Sequence, residues 1–375
     1  VIGGNERVVR PRLADAKFFF DQDRKKTLAS RVEGLGKVVY HNKLGTQGER
    51  VERVRAIARA LGQQLGGEVL GHKVDQAAQL AKTDLVTDMV GEFPELQGIM
   101  GRYYALNDGL SPDVADAIED HYKPRFAGDS LPRNEVGLIV ALADKLETLV
   151  GMFGIGNLPT GDKDPFALRR HALGVIRILV EKDLRLGVID LVKAAMPVFG
   201  GKITGSSEAL VDFIYDRLAG SLREHGFTAQ EVDAVLTLRP QQLGDVAKRL
   251  SAVRAFATLP QAPALAAANK RIANILKKAP EVDAHVSQVL LQEAAEKHLY
   301  VVMQDVLPVA NAQFDAGDYT ASLQTLAALR EPVDAFFDGV MVNAEEMDLR
   351  LNRQGLLKTL HVAMNRVADL SKLAS

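Results

Sequence analysis

The chain has 375 residues, 47% hydrophobic and 25% charged, with a formal net charge of −2; this is the balance of a globular protein with a real core, long enough for two or three domains. Cysteine is absent, which excludes disulfides, cysteine-ligated zinc and a cysteine nucleophile. The near-neutral charge gives no global pull toward nucleic acid, so any such surface must be a local patch.

The opening stretch, Val1 to Lys26, lacks the charged-then-apolar pattern of a secretion signal and reads as the tail of a domain that begins earlier. Lys37 to Tyr40 is too short to count as a strand. From Glu135 to Phe153, Val136, Ile139, Val140, Ala143, Leu146 and Val150 recur at three and four, which predicts a mostly buried helix. Asn157 to Pro165 carries a glycine, two prolines and three charges and is a loop; at its end Asp164 can cap a helix whose first position suits Pro165. Gly200 to Ser207 and Pro260 to Pro263 are further loops, with a helix entering at Pro263. Asp318 is a cap for a stripe of Leu323, Leu326, Leu329, Val333, Phe336, Phe337 and Val340. Leu356, Leu360, Met364, Val367 and Leu370 draw a last stripe. No apolar run approaches the roughly 20 residues that span a bilayer. An all-α protein follows, without repeats or low-complexity tracts.

Three constellations bear on chemistry. The pair LAKTDL (Leu80 to Leu85) and ALADKLETL (Ala141 to Leu149) resembles, in order and spacing, the HD phosphohydrolases, which hold a metal with a His, a His-Asp doublet and a distant Asp. Asp84 and Asp144 match the two aspartates. Thr83 replaces the doublet's His, and no His stands near Gln47, where the first would fall. Two carboxylates without imidazoles are a poor transition-metal site, so the scaffold is expected without its chemistry. His41, His72 and His121 are the remaining substitutes, against the blander reading of solvated or core histidines.

The second constellation is the helix after the loop, where Arg170 and Arg177 lie seven apart on one face, separated by about 10 Å. That spacing suits gripping successive phosphates, and equally suits an ordinary charged surface. The third is ALAAANKRIANILKK (Ala264 to Lys278). It turns Leu265, Ala268, Ile272 and Ile275 inward and Lys270, Asn274 and Lys277 outward, with Arg271 flanking. Lys277 and Lys278 also complement a helix C-terminus. Arg350, Asn352 and Arg353 cluster near the start of the final helix, and Phe336 and Phe337 are candidate stacking platforms, against the blander reading of core residues at helical spacing. No Gly-rich phosphate loop, GxSxG or HExxH is present.

Six blocks in order resemble one family: GNERVVRPRLADAKFFFDQDRK (Gly4 to Lys25), KTDLVTDMVGEFPELQGIMGRYYA (Lys82 to Ala105), HYKPRFAGDSLP (His121 to Pro132), GIGNLPTGDKDPFALRR (Gly154 to Arg170), AAANKRIANILKK (Ala266 to Lys278) and LREPVDAFFDGVMVNAEEMDLRLNR (Leu329 to Arg353). The family is that of the bacterial glycyl-tRNA synthetase β subunits, of which this chain resembles the C-terminal half. The resemblance implies a class II enzyme of two α and two β chains, with ATP, Mg2+, glycine and adenylate chemistry in the α subunit and none in this chain. It implies a cytoplasmic protein whose partners are tRNA(Gly) and the α subunit, without DNA or membrane. It implies residues 1–30 as the tail of a preceding domain, 31–182 as an HD-like domain meeting the acceptor arm, and 183–260 as a helical middle. Residues 261–375 would form a DALR-type anticodon-binding bundle. On this reading Arg170 and Arg177 serve the acceptor arm, and Lys270, Arg271, Arg350 and Arg353 the anticodon end. The rival readings are a working HD phosphohydrolase and a helical scaffold that only joins proteins.

Overall fold

The computed structural model describes residues 1–375. Seventeen α-helices and one minimal hairpin divide into two compact units, Val1–Arg217 and Leu218–Ser375. The hairpin pairs β1 (Val39–His41) antiparallel to β2 (Gly45–Thr46).

The first unit begins with α1 (Ile2–Asp23), a short turn α2 (Leu28–Arg31) and the long α3 (Gln47–Leu80). A capping box starts α3: Thr46 Oγ1 accepts from the Glu49 amide and the Glu49 carboxylate accepts from the Thr46 amide, which satisfies two otherwise orphaned donors. Gly67, at φ 76°, breaks α3 into two arms, a conformation open mainly to glycine. The arms fold back at Gly62 and Gly71, where a Cβ on Gly62 would stand 3.0 Å from the Gly71 Cα. Asp75 on the second arm ties down Arg55 and Arg59 on the first.

Next come α4 (Asp88–Glu92), α5 (Ile99–Asn107), α6 (Pro112–Asp120) and α7 (Glu135–Gly154). The Asn134 side chain caps α7 by accepting from the Gly137 amide. Every residue of α7 from Val136 to Met152 is buried. This makes it the axis of the unit, packed by α3, α6, α8 (Leu168–Glu181) and α9 (Val188–Ala195). Its Ile139, Leu142, Leu146 and Leu149 are fully enclosed, each stabilising by about 1.5–3 kcal/mol. The helix α8 starts at Leu168 rather than at Pro165: the Asp164 carboxylate does cap it, accepting from the Leu168 and Arg169 amides. It does so across a left-handed Ala167, which leaves Pro165 outside the helix.

The helix α10 (Glu208–Glu224) crosses the boundary between the units. The second unit holds α11 (Ala229–Leu236), α12 (Val246–Ala257), α13 (Ala262–Lys278), α14 (Ala294–Asp315), α15 (Tyr319–Leu326), α16 (Arg330–Gly339) and α17 (Met347–Met364). Residues 183–260 are shared out by packing: α9 lies on α7 in the first unit, and α12 lies on α15 in the second. Pro263 stands in the first turn of α13, and the Asp318 carboxylate caps α15. The stripe from Leu323 to Val340 is interrupted by a 3-10 turn at Ala327–Leu329, so it serves two helices. The final stripe outlasts α17: Val367 and Leu370 are buried beyond its end because the Asn365 side chain accepts from the Leu370 amide and turns the chain inward. The same Asn365 exchanges two hydrogen bonds with buried Asn269 of α13, at 2.7 and 2.9 Å.

Candidate functional site

In the first unit, the first arm of α3 and the turn that follows its second arm bring Arg50 and Lys82 against Asp144 of α7. Arg50 Nη2 stands 3.3 Å and Lys82 Nζ 3.4 Å from Asp144 Oδ1. Arg50 also donates to Glu147 at 2.8 Å and to Thr148 at 2.7 Å, and Arg53 donates to the other oxygen of Glu147 at 3.0 Å. The Lys82 ammonium lies 4.0 Å from the Tyr122 ring centroid. All of these charges are buried. Burial raises the Asp144 carboxyl, but the Arg50 and Lys82 charges overcome it and hold it well below the usual carboxylate range. Burial pushes Lys82 and the neighbouring Lys145 down to about 8.

Asp84 is handled differently. Its Oδ2 accepts from the Gly98 and Gly101 amides, while its Oδ1 has no partner. Burial pushes it up to about 6 against those two donors. Thr83 donates its hydroxyl to the Leu80 carbonyl and closes a local turn. His121 is the one candidate histidine that reaches the site. Burial, and then the Lys82 charge, drive its pKa well below the ordinary value, so it is a neutral imidazole there. His41 packs on Phe166 and meets Asn157, and His72 is exposed. The gap between Arg50, Lys82, His121 and Asp144 is about 10 Å3, room for a single water at most. A divalent cation would face two fixed cations beside the one available carboxylate. The residues present do not fit a metal.

Arg50 and Lys82 escaped the sequence reading although both were within reach of it. Lys82 directly precedes Thr83, and Arg50 lies one helical turn after Gln47. The signal was a pair of cations at positions that two scaffold motifs place inside a core.

In the second unit, a groove of about 450 Å3 opens beside α13 and the start of α17. Lys270, Arg271, Asn274 and Lys278 of α13 line it together with Asn343 and Gln354. All four α13 residues are exposed, while Leu265, Ala268 and Ile272 face the core and Ile275 is half-buried. The Arg271 guanidinium lies 4.3 Å from the ring centroid of half-buried Phe337, while Phe336 is wholly buried. No carboxylate lines the groove, and Lys270, Arg271 and Lys278 make no ion pair.

The six basic residues singled out above thus fall into two kinds. Arg170, Lys270 and Arg271 are exposed cations without an acidic partner. The other three have jobs within the fold. Arg177 pairs with Glu181 at 2.6 Å and donates to the Asp129 carbonyl. Arg350 donates to the Ala344 and Glu345 carbonyls and holds the turn before α17. Arg353 is turned inward, gripping buried Glu296 with two nitrogens at 3.1 and 3.2 Å and the Met341 carbonyl with a third. Its side chain is 6% exposed, so it is not a surface residue. Spacing alone does not separate the two kinds: Arg350 and Arg353 share a cluster, yet Arg350 meets carbonyls five and six residues away while Arg353 meets Glu296, 57 residues away.

The family described as glycyl-tRNA synthetase beta subunit matches residues 1–237. The DALR anticodon binding domain matches residues 265–370, the stretch that carries the groove. The chain is 78% identical to the glycine–tRNA ligase beta subunit of Polaromonas naphthalenivorans over 376 residues, and 76% identical to that of Paracidovorax citrulli over 374. It is 66% identical to that of Thiobacillus denitrificans over 377. Each alignment covers 100% of this chain and 53%, 53% and 54% of the relative, respectively. The chain therefore spans about half the length of the curated relatives it matches.

Proposed function

Because the chain belongs to the family of glycyl-tRNA synthetase β subunits, we propose that it serves glycine–tRNA ligase by holding tRNA(Gly), not by making or breaking the glycyl bond. The observation that carries this reading is the groove of the second unit, with three unpaired cations and no acid in a chain of net charge −2. Concentrated positive charge of that kind attracts phosphates whatever the global balance. It falls inside the stretch matched by the anticodon binding domain, so the groove would take the anticodon end. Exposed Arg170, in the first unit, would meet the acceptor arm.

A synthetase must fix a substrate far larger than its reaction centre, and remote binding energy can be spent on positioning the reacting end. On this reading ATP, Mg2+ and glycine are handled by an α partner, in a complex of two α and two β chains in the cytoplasm. This chain contributes no group to adenylate chemistry. On this reading the domain meeting the acceptor arm keeps an HD-like scaffold in which Arg50 and Lys82, rather than a metal, face Asp144.

The test is binding of the purified chain to glycine tRNA across a salt series. The expected result is an affinity that falls steeply and linearly on a log–log salt plot. The absence of tRNA binding at low salt overturns the proposal. Glycine-dependent pyrophosphate exchange by this chain, free of any α subunit, overturns the assignment of chemistry elsewhere.

A further inference from the structure

The groove holds a feature that phosphate binding does not explain. Gln354 sits at its lining with 4% exposure. Its Nε2 donates to Asn343 Oδ1 at 3.3 Å, which fixes the orientation of the amide. Its Oε1 is buried and has no donor. A buried acceptor left unmade is costly, and native folds satisfy such atoms with protein, water or ligand. Asn343 is exposed, and accepting from Gln354 leaves its own amide nitrogen free to donate into the groove. The pair therefore puts an unmatched acceptor and a donor side by side in the lining of a basic groove. The Arg271 guanidinium, which lines the same groove, lies 4.3 Å from the Phe337 ring centroid, and a guanidinium plane is a platform on which an unstacked base can lie.

We propose that Gln354 and Asn343 read the edge of one unpaired nucleobase, stacked against Arg271, while Lys270 and Lys278 hold its flanking phosphates. Every unpaired base carries a donor beside an acceptor on its pairing edge, but in opposite order for adenine and cytosine than for guanine and uracil, so a fixed amide pair meets one order with two hydrogen bonds and rejects the other. The volume of about 450 Å3 lies within the roughly 300–1,000 Å3 range of small-ligand sites. This assignment deepens the tRNA-binding reading and rests on it.

The experiment uses the full-length protein with glycine tRNA and a panel of the same tRNA in which each anticodon-loop base is replaced in turn. Affinities are measured for the unaltered protein and for Gln354→Ala and Asn343→Ala. The unaltered protein is expected to discriminate at one loop position by about 5- to 150-fold, the range for a bidentate base contact. Both variants should bring that ratio toward unity at that position alone, leaving other positions and the salt slope unchanged. Asn343 is exposed, so Asn343→Ala decides the matter if Gln354→Ala fails to fold. An unchanged ratio, or a loss spread evenly over all tRNAs, overturns the base-reading assignment and leaves tRNA binding standing. Failure of the unaltered protein to bind any tRNA overturns both.

Discussion

In the first unit Arg50, Arg53, Lys82 and Lys145 lie inside the fold among Asp84, Asp144 and Glu147, whereas in the second Lys270, Arg271 and Lys278 line an open groove with no acid near them. The interior charges have given up water for one another and can do nothing else without unfolding the domain. The groove charges keep their water and counterions until a ligand arrives. Motif spacing points at both places with equal force, since Asp84 and Asp144 stand in the order of a metal site as plainly as the α13 lysines stand on one face. What separates architecture from binding is whether a charge is already matched. Arg353 and Glu296 show that the second unit uses the first device too, once, beneath the groove's own helix.

The contrast breaks most visibly if a buried partner can be removed cheaply. Arg50→Ala takes a cation from Asp144 and Glu147 together, and Arg353→Ala strands Glu296 without its only ion-pair partner. Arg353→Ala should cost about 3–5 kcal/mol, because an uncompensated buried carboxylate is left behind, and Arg50→Ala should cost less, because Lys82 stays beside Asp144 and Arg53 beside Glu147. Urea unfolding of each variant measures it. A loss below about 1 kcal/mol in either would mean that water reaches these charges and that they are not architectural.

The acidity of Asp84 sharpens the same point. Its folded pKa is raised from 3.8 to about 6, so the native state binds more protons than the unfolded one between about pH 4 and 6. Its contribution to stability is therefore largest at acid pH and declines as pH rises through that window. In Asp84→Asn the amide oxygen can still accept from Gly98 and Gly101, but the titration is gone. The stability difference between the original protein and this variant should shift by on the order of 2 kcal/mol between pH 4 and 7, in favour of the variant at the higher pH. Denaturant midpoints at pH 4, 5.5 and 7 test it, and a difference independent of pH would show that Asp84 is hydrated.

The sequence of the chain announces the all-helical class, the central helix from Glu135 and the capping roles of Asp164 and Asp318, because these depend on residues close together in sequence. Packing partners are another matter. The inward turn of Arg353 depends on Glu296, 57 residues away, and the burial of Arg50 depends on Glu147, 97 residues away. Nothing in the local pattern of either arginine records that partner. The groove was half legible: the outward face of α13 follows from its apolar stripe, but Asn343 and Gln354 join it by tertiary packing. The reversal at Gly67 within α3 was also hidden, since helical periodicity continues on both arms.

The open charges should behave oppositely to the buried ones. Lys270→Ala should leave stability within about 0.5 kcal/mol of the original, as surface substitutions away from caps and networks do, and Lys278→Ala should cost at most about 1 kcal/mol, the worth of a cation at a helix C-terminus. Each should flatten the log–log salt dependence of tRNA binding by roughly one unit and weaken cognate and non-cognate tRNAs alike. Salt series with both tRNAs separate this from base reading. A variant that keeps its full salt slope would remove that lysine from the interface.

The smallest effect distinguishes two arginines on one helix, and it tests whether matched charge disqualifies a surface residue as well as a buried one. Arg170 is exposed and unpaired, while Arg177 is held by Glu181 at 2.6 Å and by the Asp129 carbonyl at 2.8 Å. For Arg170 to meet a phosphate it need only shed water, and the phosphate sheds a counterion, so Arg170→Ala should flatten the salt slope by about one unit. Arg177 would have to leave Glu181 first, and the bared carboxylate would recruit a cation to replace the one released, so its net contribution to the slope is near zero. Arg177→Ala should instead lower stability by about 0.3–0.5 kcal/mol, the worth of an i,i+4 pair, with tRNA affinity unchanged. If both substitutions flatten the slope equally, the Arg177–Glu181 pair opens on binding, and matched charge marks architecture only where water is excluded.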